Sequence, residues 1–182
     1  MSFDFKTAVK LYKENPTSER LSEVSEKLLS EMTLKEKIRM MRGHAMGVTI
    51  KNVFTRGRYY NGEAYPAGGC KRLGIPEILF TDGPRGIVLR HSTCFPVSML
   101  RGAAFDDELE YEVGEAMAKE LLYYGINMDL APVLDVNNNH ENPVIGARSY
   151  SDSAFLTSIY GSNLIKGLHD NGVLATPKHF PG

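Results

Sequence analysis

The chain has 182 residues, of which 42% are hydrophobic and 24% charged, an ordinary globular composition that excludes an intrinsically disordered chain. Its 21 basic and 22 acidic residues leave a formal net charge of −1, so no nucleic-acid partner and no anionic membrane surface is expected. The predicted partner is therefore a small and largely uncharged molecule.

The amino-terminal residues alternate between charged and apolar types, without the continuous apolar core of a signal peptide. No later segment of the sequence is apolar for long enough to span a bilayer. A cytoplasmic protein is predicted, and Cys70 and Cys94 are accordingly expected to be free thiols.

Helical spacing dominates residues 4–30 and predicts helix there. Four apolar residues recur on one face of that helix: Leu21, Val24, Leu28 and Leu29. Thr33 and Glu36 form the pattern of a capping box, which predicts a second helix through Met41. Residues 1–30 are therefore expected to be a helical lead-in, followed by one domain over residues 31–182.

Residues 43–74 are rich in glycine and show no periodicity, which predicts a long loop. From residue 75 onward, apolar runs alternate with amphipathic segments. Strands are predicted near 76–82, 127–136 and 173–178, and helices over 106–124 and 154–170. Strands alternating with helices at this spacing predict an α/β fold with parallel pairing.

Two of the predicted strands end in charged side chains, Asp82 in one case and Lys178 with His179 in the other. The carboxyl ends of parallel strands are where α/β enzymes keep their chemistry. The residues alone leave other interpretations open. Asp82 can simply cap a Gly-Pro turn, Lys178 can be solvated, and His179 can be a core residue with satisfied hydrogen bonds.

Several segments, in one order along the chain, resemble the barrel domain of glycoside hydrolase family 3. They are Thr81-Asp82-Gly83-Pro84-Arg85-Gly86, Ser92–Pro96, Gly102–Asp106, Asp129–Asn137, Asn142–Tyr150 and Lys178-His179-Phe180-Pro181-Gly182. The resemblance covers roughly residues 30–182. It implies a TIM-type (β/α)8 barrel, of which this chain is about the first half, preceded by lead-in helices. It also implies a retaining, exo-acting β-glycosidase that hydrolyses O-glycosyl bonds and needs no cofactor.

The same resemblance implies that Asp82, Arg148, Lys178 and His179 bind the terminal sugar. Arg90 stands eight residues after Asp82, a spacing seen in the N-acetylhexosaminidase branch of the family, and a surface arginine is the alternative reading. Lys178 and His179 are adjacent, so both reach one sugar only if the peptide between them is irregular.

Asp135 is expected to be a structural carboxylate at a strand end, with support of the site as the alternative. Arg85 and Tyr150 are further candidates for supporting roles. His140 with Glu141, and His44 with His91, match no closed ligand set, so no metal site is predicted.

Retaining glycosidases need two carboxyl groups roughly 5 Å apart. In family members both reacting groups follow the Lys-His-Phe motif, so they are expected beyond Gly182. The 182-residue chain is therefore predicted to hold the sugar-binding half, to lack hydrolytic turnover on its own, and to self-associate through an open barrel edge.

Subgroup signals in the sequence point to different branches. The segment from Asp82 to Gly86 looks glucosidase-like, whereas the segments around Arg148 and Lys178 look hexosaminidase-like. A β-glucosidase is the leading prediction. The alternatives are a β-N-acetylhexosaminidase or β-xylosidase of the same family, a non-catalytic carbohydrate-binding fragment, and an unrelated α/β enzyme with His179 as general base.

Overall fold

A computed structural model describes residues 3–43, 50, 63–89 and 91–180. Contacts divide the chain into two compact units. Among the described residues, the first unit holds 3–43, 50 and 65–78, and the second holds 63–64 and the residues from 79 onward. In the part of the chain that the structure describes, the buried apolar side chains of the first unit form two clusters and those of the second form one. The predicted division into residues 1–30 and 31–182 stays a prediction.

The first unit begins with helices α1 (Phe5–Glu14) and α2 (Ser18–Glu31). The helical pattern over residues 4–30 is thus two helices, because Pro16 disfavours helix at the residue before it and the Thr17 side chain caps a new start. Val24 is buried in this unit, whereas Leu21 and Leu29 are about half exposed. The predicted apolar face of the helix is therefore only partly buried.

Helix α3 (Leu34–Met40) begins with the predicted capping box. The Glu36 backbone N–H donates to Thr33 Oγ1 at 3.3 Å, and the Thr33 backbone N–H donates to Glu36 Oε2 at 2.9 Å. Glu36 also pairs with Arg72, whose Nε and Nη2 donate to its two carboxylate oxygens at 2.8 and 2.7 Å. This contact ties α3 to the segment that follows the first strand.

Strand β1 (Tyr65–Cys70) and a 3-10 turn (Lys71–Leu73) lie within the segment predicted to be a loop, so the loop prediction is wrong there. Residues 44–49 and 51–62 of that segment lie outside the described residues. The strand was not predicted because it contains two glycines, Gly68 and Gly69. Gly69 has a φ of 79°, and a Cβ on it would lie 2.6 Å from the Glu77 side chain, so glycine lets the two neighbouring segments approach closely.

The strand order is β1-β2-β3-β4, where β2 is Ile75–Thr81, β3 is Met128–Asp129 and β4 is Leu174–Ala175. Both β2–β3 and β3–β4 are parallel, with Thr81 opposite Asp129 and Asp129 opposite Ala175. The parallel pairing predicted from the sequence is confirmed. The second and third predicted strands are longer than β3 and β4, because Pro132 offers no N–H to a ladder; Val133 and Lys178 form an isolated bridge further along.

The two long helices of the second unit, α5 (Asp107–Tyr123) and α6 (Ala154–Asp170), match their predicted ranges. The Asp106 side chain accepts from the Leu109 N–H at 2.9 Å, and Gly125, with a φ of 75°, follows the end of α5. The short helix α4 (Ser98–Gly102) precedes them and was not predicted, since five residues carry little periodicity.

Helices α5 and α6 pack against each other through glycines. A Cβ on Gly167 would lie 2.3 Å from the Tyr111 carbonyl oxygen, and one on Gly114 would lie 2.7 Å from that of Leu164. The core of this unit contains fully buried side chains from both helices and from the residues before β3 and β4: Met117, Leu121, Ile126, Leu164, Leu168 and Val173. Strands alternating with packed helices confirm the predicted α/β fold class.

Cys70 is a buried free thiol and Cys94 an exposed one. Among the described helices, none combines the length and apolar character needed to cross a membrane.

Candidate functional site

Two charged side chains meet where parallel strands end. Asp82 follows β2 and Lys178 follows β4, and the Lys178 Nζ donates to Asp82 Oδ1 across 96 positions of sequence. The Lys178 side chain is 17% exposed and the Asp82 side chain 47% exposed. The carboxylate therefore keeps solvent-facing capacity to accept hydrogen bonds from a ligand, while the ammonium is largely enclosed.

A second pair lies directly beside the first. His179 Nδ1 lies 2.6 Å from Asp135 Oδ2, with the histidine 44% exposed and the aspartate 7% exposed. A carboxylate at this distance favours a proton on Nδ1 and holds the ring in one orientation. The other ring nitrogen, Nε2, is then the atom that remains for a ligand. Asp135, expected mainly as a structural carboxylate, thus contacts a candidate site residue.

The backbone places both pairs at the same strand ends. The Lys178 N–H donates to the Pro132 carbonyl at 2.9 Å, and the Leu134 N–H donates to the Lys178 carbonyl at 2.5 Å. The peptide bond between Lys178 and His179 is cis.

A third carboxyl group lies buried beside the Asp82 loop. Asp129 of β3 has no exposed surface, and neither carboxylate oxygen has a hydrogen-bond partner among the described residues. Burial raises the pKa of Asp129 to about 8, with the negative charge of Asp82 as a further cause and the positive charge of Lys178 opposing it. Sequence reasoning missed this residue; the signal was an acidic residue inside an apolar run.

The loop that carries Asp82 is also held from the helical side. Arg101 of α4 donates from Nη2 to the Pro84 carbonyl at 2.9 Å, and its Nη1 lies 3.1 Å from Glu110 Oε1 as an ion pair. Tyr150 donates its hydroxyl to the same Glu110 oxygen at 2.5 Å. Burial raises the pKa of Glu110, and the Arg101 charge opposes that rise. Tyr150 therefore hydrogen-bonds to the buried Arg101–Glu110 ion pair.

The other predicted ligands are Arg148 and Arg90. Arg148 is in a 3-10 turn (Gly146–Arg148) and donates from Nη1 to the Val144 carbonyl at 3.2 Å. Among the described residues it forms no hydrogen bond with Asp82, Lys178 or His179. Arg90 lies outside the described residues. Arg85 donates to the Cys94 sulfur at 3.3 Å.

The described part of the chain contains no group of three or more His, Cys, Asp or Glu side chains arranged to hold a metal ion. The site instead consists of carboxylate, ammonium and imidazole groups at strand ends. Such groups donate and accept hydrogen bonds in fixed directions and suit a polyhydroxylated ligand.

Comparison with known proteins identifies one protein family and relatives that belong to it. The Glycosyl hydrolase family 3 N terminal domain matches residues 44–182. Probable beta-glucosidase I of Aspergillus clavatus is 34% identical over 163 residues, which cover 85% of this chain and 17% of that protein. The chain therefore spans less than a fifth of the length of this relative.

Solved structures agree with the sequence comparison. The beta-glucosidase 3B of Thermotoga neapolitana, solved in complex with glucose, superimposes with a TM-score of 0.72 at 29% identity, covering 85% of this chain and 22% of that one. A family 3 beta-N-acetylglucosaminidase from Paenibacillus is 44% identical with a TM-score of 0.53, covering 59% and 21%. Since the family match includes both the Asp82 loop and the Lys178–His179 segment, this chain belongs to glycosyl hydrolase family 3 and contains residues of its N-terminal domain.

Proposed function

We propose that this chain forms the sugar-binding part of a retaining, exo-acting β-glycosidase, and that the sugar is a terminal β-linked glucose. The observation that carries the proposal is the Asp82–Lys178 ion pair at the ends of β2 and β4, with His179 beside it. A half-exposed carboxylate accepts hydrogen bonds from two neighbouring hydroxyl groups, and an ammonium donates up to three. Together they orient one sugar ring.

Arg148 and Arg90 are kept in the proposal as further sugar ligands. The Arg148 guanidinium has only one described hydrogen bond, to the Val144 carbonyl, so most of its five donors are free of described partners. Asp82 is paired with the Lys178 ammonium and Asp135 with the His179 ring, an arrangement that suits binding of hydroxyl groups. We therefore assign the two reacting carboxyl groups of a retaining mechanism to neither of them.

Glucose is preferred because the A. clavatus relative is a probable beta-glucosidase and the Thermotoga structure holds glucose. A second candidate is an N-acetylglucosamine substrate. It is supported by the 44% identity to the Paenibacillus beta-N-acetylglucosaminidase, a higher identity over a shorter part of the chain. The two candidates differ in the group at the sugar C2 position.

The proposal is tested by calorimetric titration of the purified chain with D-glucose and, separately, with N-acetylglucosamine. Binding of glucose is expected to weaken roughly 10- to 100-fold in Asp82→Asn and Lys178→Met, since a hydrogen bond to a charged group contributes about 1.5–3 kcal/mol. Lys166→Met is the matched control, because Lys166 pairs with Asp170 on the exposed face of α6.

Tighter binding of N-acetylglucosamine than of glucose would favour the second candidate. Absence of binding by both sugars, or equal affinity in the wild type and Asp82→Asn, would overturn the proposed site. Release of nitrophenol from p-nitrophenyl β-glucoside by the same preparation separates an active chain from a binding chain, and we expect binding without turnover.

A further inference from the structure

The buried Asp129 side chain has no role in the site as described so far. Asp129 is the central residue of three adjacent strands, with Thr81 of β2 on one side and Ala175 of β4 on the other. It has no exposed surface, and both of its oxygens lack a described hydrogen-bond partner, as does Thr81 Oγ1. An ionised carboxylate in such a place is costly, so the neutral form is favoured.

The carboxyl group touches the backbone that carries Asp82. A Cβ on Gly83 would lie 2.6 Å from Asp129 Oδ1, so only glycine lets this loop lie on the buried acid. Asp82 directly precedes Gly83 in the chain, so a change of charge on Asp129 acts electrostatically on the Asp82 carboxylate.

Three charged groups act on Asp129 from the elements around it. Asp82 follows β2 and raises the Asp129 pKa, whereas Lys178 after β4 and Arg101 of α4 lower it. Lys178 is thus attracted by two carboxyl groups, Asp82 through a direct hydrogen bond and Asp129 through its charge once it ionises. Arg101 is already engaged with Glu110 and the Pro84 carbonyl.

We propose that Asp129 is a positioning residue for the sugar site: in its neutral form it leaves the Lys178 ammonium to Asp82, and in its ionised form it competes for that ammonium and weakens sugar binding. The inference deepens the proposed function and rests on it for the identity of the ligand. The protonation state of the Asp129 carboxyl group determines how sugar affinity changes with pH. Because burial raises the pKa of Asp129 to about 8, affinity is retained below that pH and is lost as the pH rises through it.

The experiment measures D-glucose affinity between pH 7 and 9 in the wild type, in Asp129→Asn and in the control Asp170→Asn. Asp170 is an exposed carboxylate paired with Lys166. Wild type and Asp170→Asn are expected to lose affinity roughly fivefold over this range, the size of one competing charge pair, and Asp129→Asn is expected to stay flat. Superimposable profiles for the wild type and Asp129→Asn would overturn the inference.

A second readout needs no sugar. A carboxyl group whose folded pKa is raised stabilises the fold at low pH, and this contribution is lost as the pH rises from the unfolded value of 3.8 to about 8. The melting temperature of Asp129→Asn should therefore rise relative to that of the wild type between pH 5 and 8. Above pH 8 the difference between the two melting temperatures should stay constant. Asp129→Leu, neutral and of similar size, replaces the asparagine variant if that variant does not fold.

The two proposals fail in different ways. If the wild type binds no sugar at pH 7, the proposed function fails and the positioning role in sugar binding fails with it. The melting temperatures of the wild type and Asp129→Asn then still test the buried, neutral Asp129. Melting temperatures that diverge between pH 5 and 8 support a neutral Asp129, and a constant difference over that range overturns it. If sugar binds at pH 7 but with the same pH profile in Asp129→Asn, the proposed function stands and the positioning role is overturned.

Discussion

At the residue scale, Lys178 and His179 each have a carboxylate partner, Asp82 for Lys178 and Asp135 for His179. The second pair fixes the imidazole ring and leaves Nε2 for the ligand. Asp135→Asn keeps an acceptor oxygen for Nδ1 but removes the charge, whereas Asp135→Ala removes both.

We expect glucose affinity to fall about two- to fivefold in Asp135→Asn and roughly tenfold in Asp135→Ala, since a neutral hydrogen bond contributes about 1 kcal/mol and a charged one more. Titration calorimetry with glucose measures both. A loss in Asp135→Asn as large as in Asp135→Ala would show that the charge, and not ring orientation, is what matters.

The buried pair of Arg101 and Glu110 gives a second prediction at this scale. Arg101→Met leaves a buried carboxylate without its cation, so the free energy of unfolding should fall by about 3–5 kcal/mol, measured by urea denaturation. The control Arg20→Met breaks an exposed pair with Glu23 and should be almost neutral. The double variant Arg101→Met/Glu110→Gln should recover part of the loss; a strictly additive loss would contradict the pairing.

At the element scale, α5 and α6 approach each other closely at glycines. Gly167→Ala places a methyl group 2.3 Å from the Tyr111 carbonyl oxygen, so the helices must separate. We expect a loss of about 1–3 kcal/mol in the free energy of unfolding, measured by thermal or urea denaturation. Ser162→Ala on the exposed face of α6 is the control and should change little; a neutral Gly167→Ala would mean that the helices are not packed this closely.

Elements with strong end signals were predictable from the sequence. Helix α5 has an aspartate cap and a following glycine, and α3 has a full capping box, so both appeared where expected. Strand β1 was missed because its glycines remove the apolar alternation by which strands are recognised. Strands β3 and β4 were overextended because apolar composition cannot show where a ladder stops.

The candidate site was predictable only in part, for a related reason. Asp82, Lys178 and His179 stand at the ends of apolar runs, a position visible in sequence. Their pairing partners are not visible, because Asp135 lies 44 positions from His179. The buried Asp129 was hidden for the same reason, since its role depends on a loop and a strand that are distant in the chain.

At the scale of the whole molecule, β4 lies at the end of the strand order among the described strands, and Leu174 in it is half exposed. We expect the chain to self-associate through this edge, so that the mean mass from sedimentation velocity rises with concentration. Leu174→Lys should shift the distribution towards monomer, and the control Leu122→Lys, on exposed surface of α5, should not. A wild type that stays monomeric at all concentrations would contradict this prediction.

The central claim is that one sugar is held at the ends of β2 and β4. The most direct measurement is a crystal structure of the chain grown with D-glucose. The account predicts glucose hydroxyl oxygens within hydrogen-bond distance of Asp82 and Lys178, with His179 Nε2 facing the ring. Glucose bound elsewhere, with the Asp82–Lys178 pair free of ligand, would contradict it.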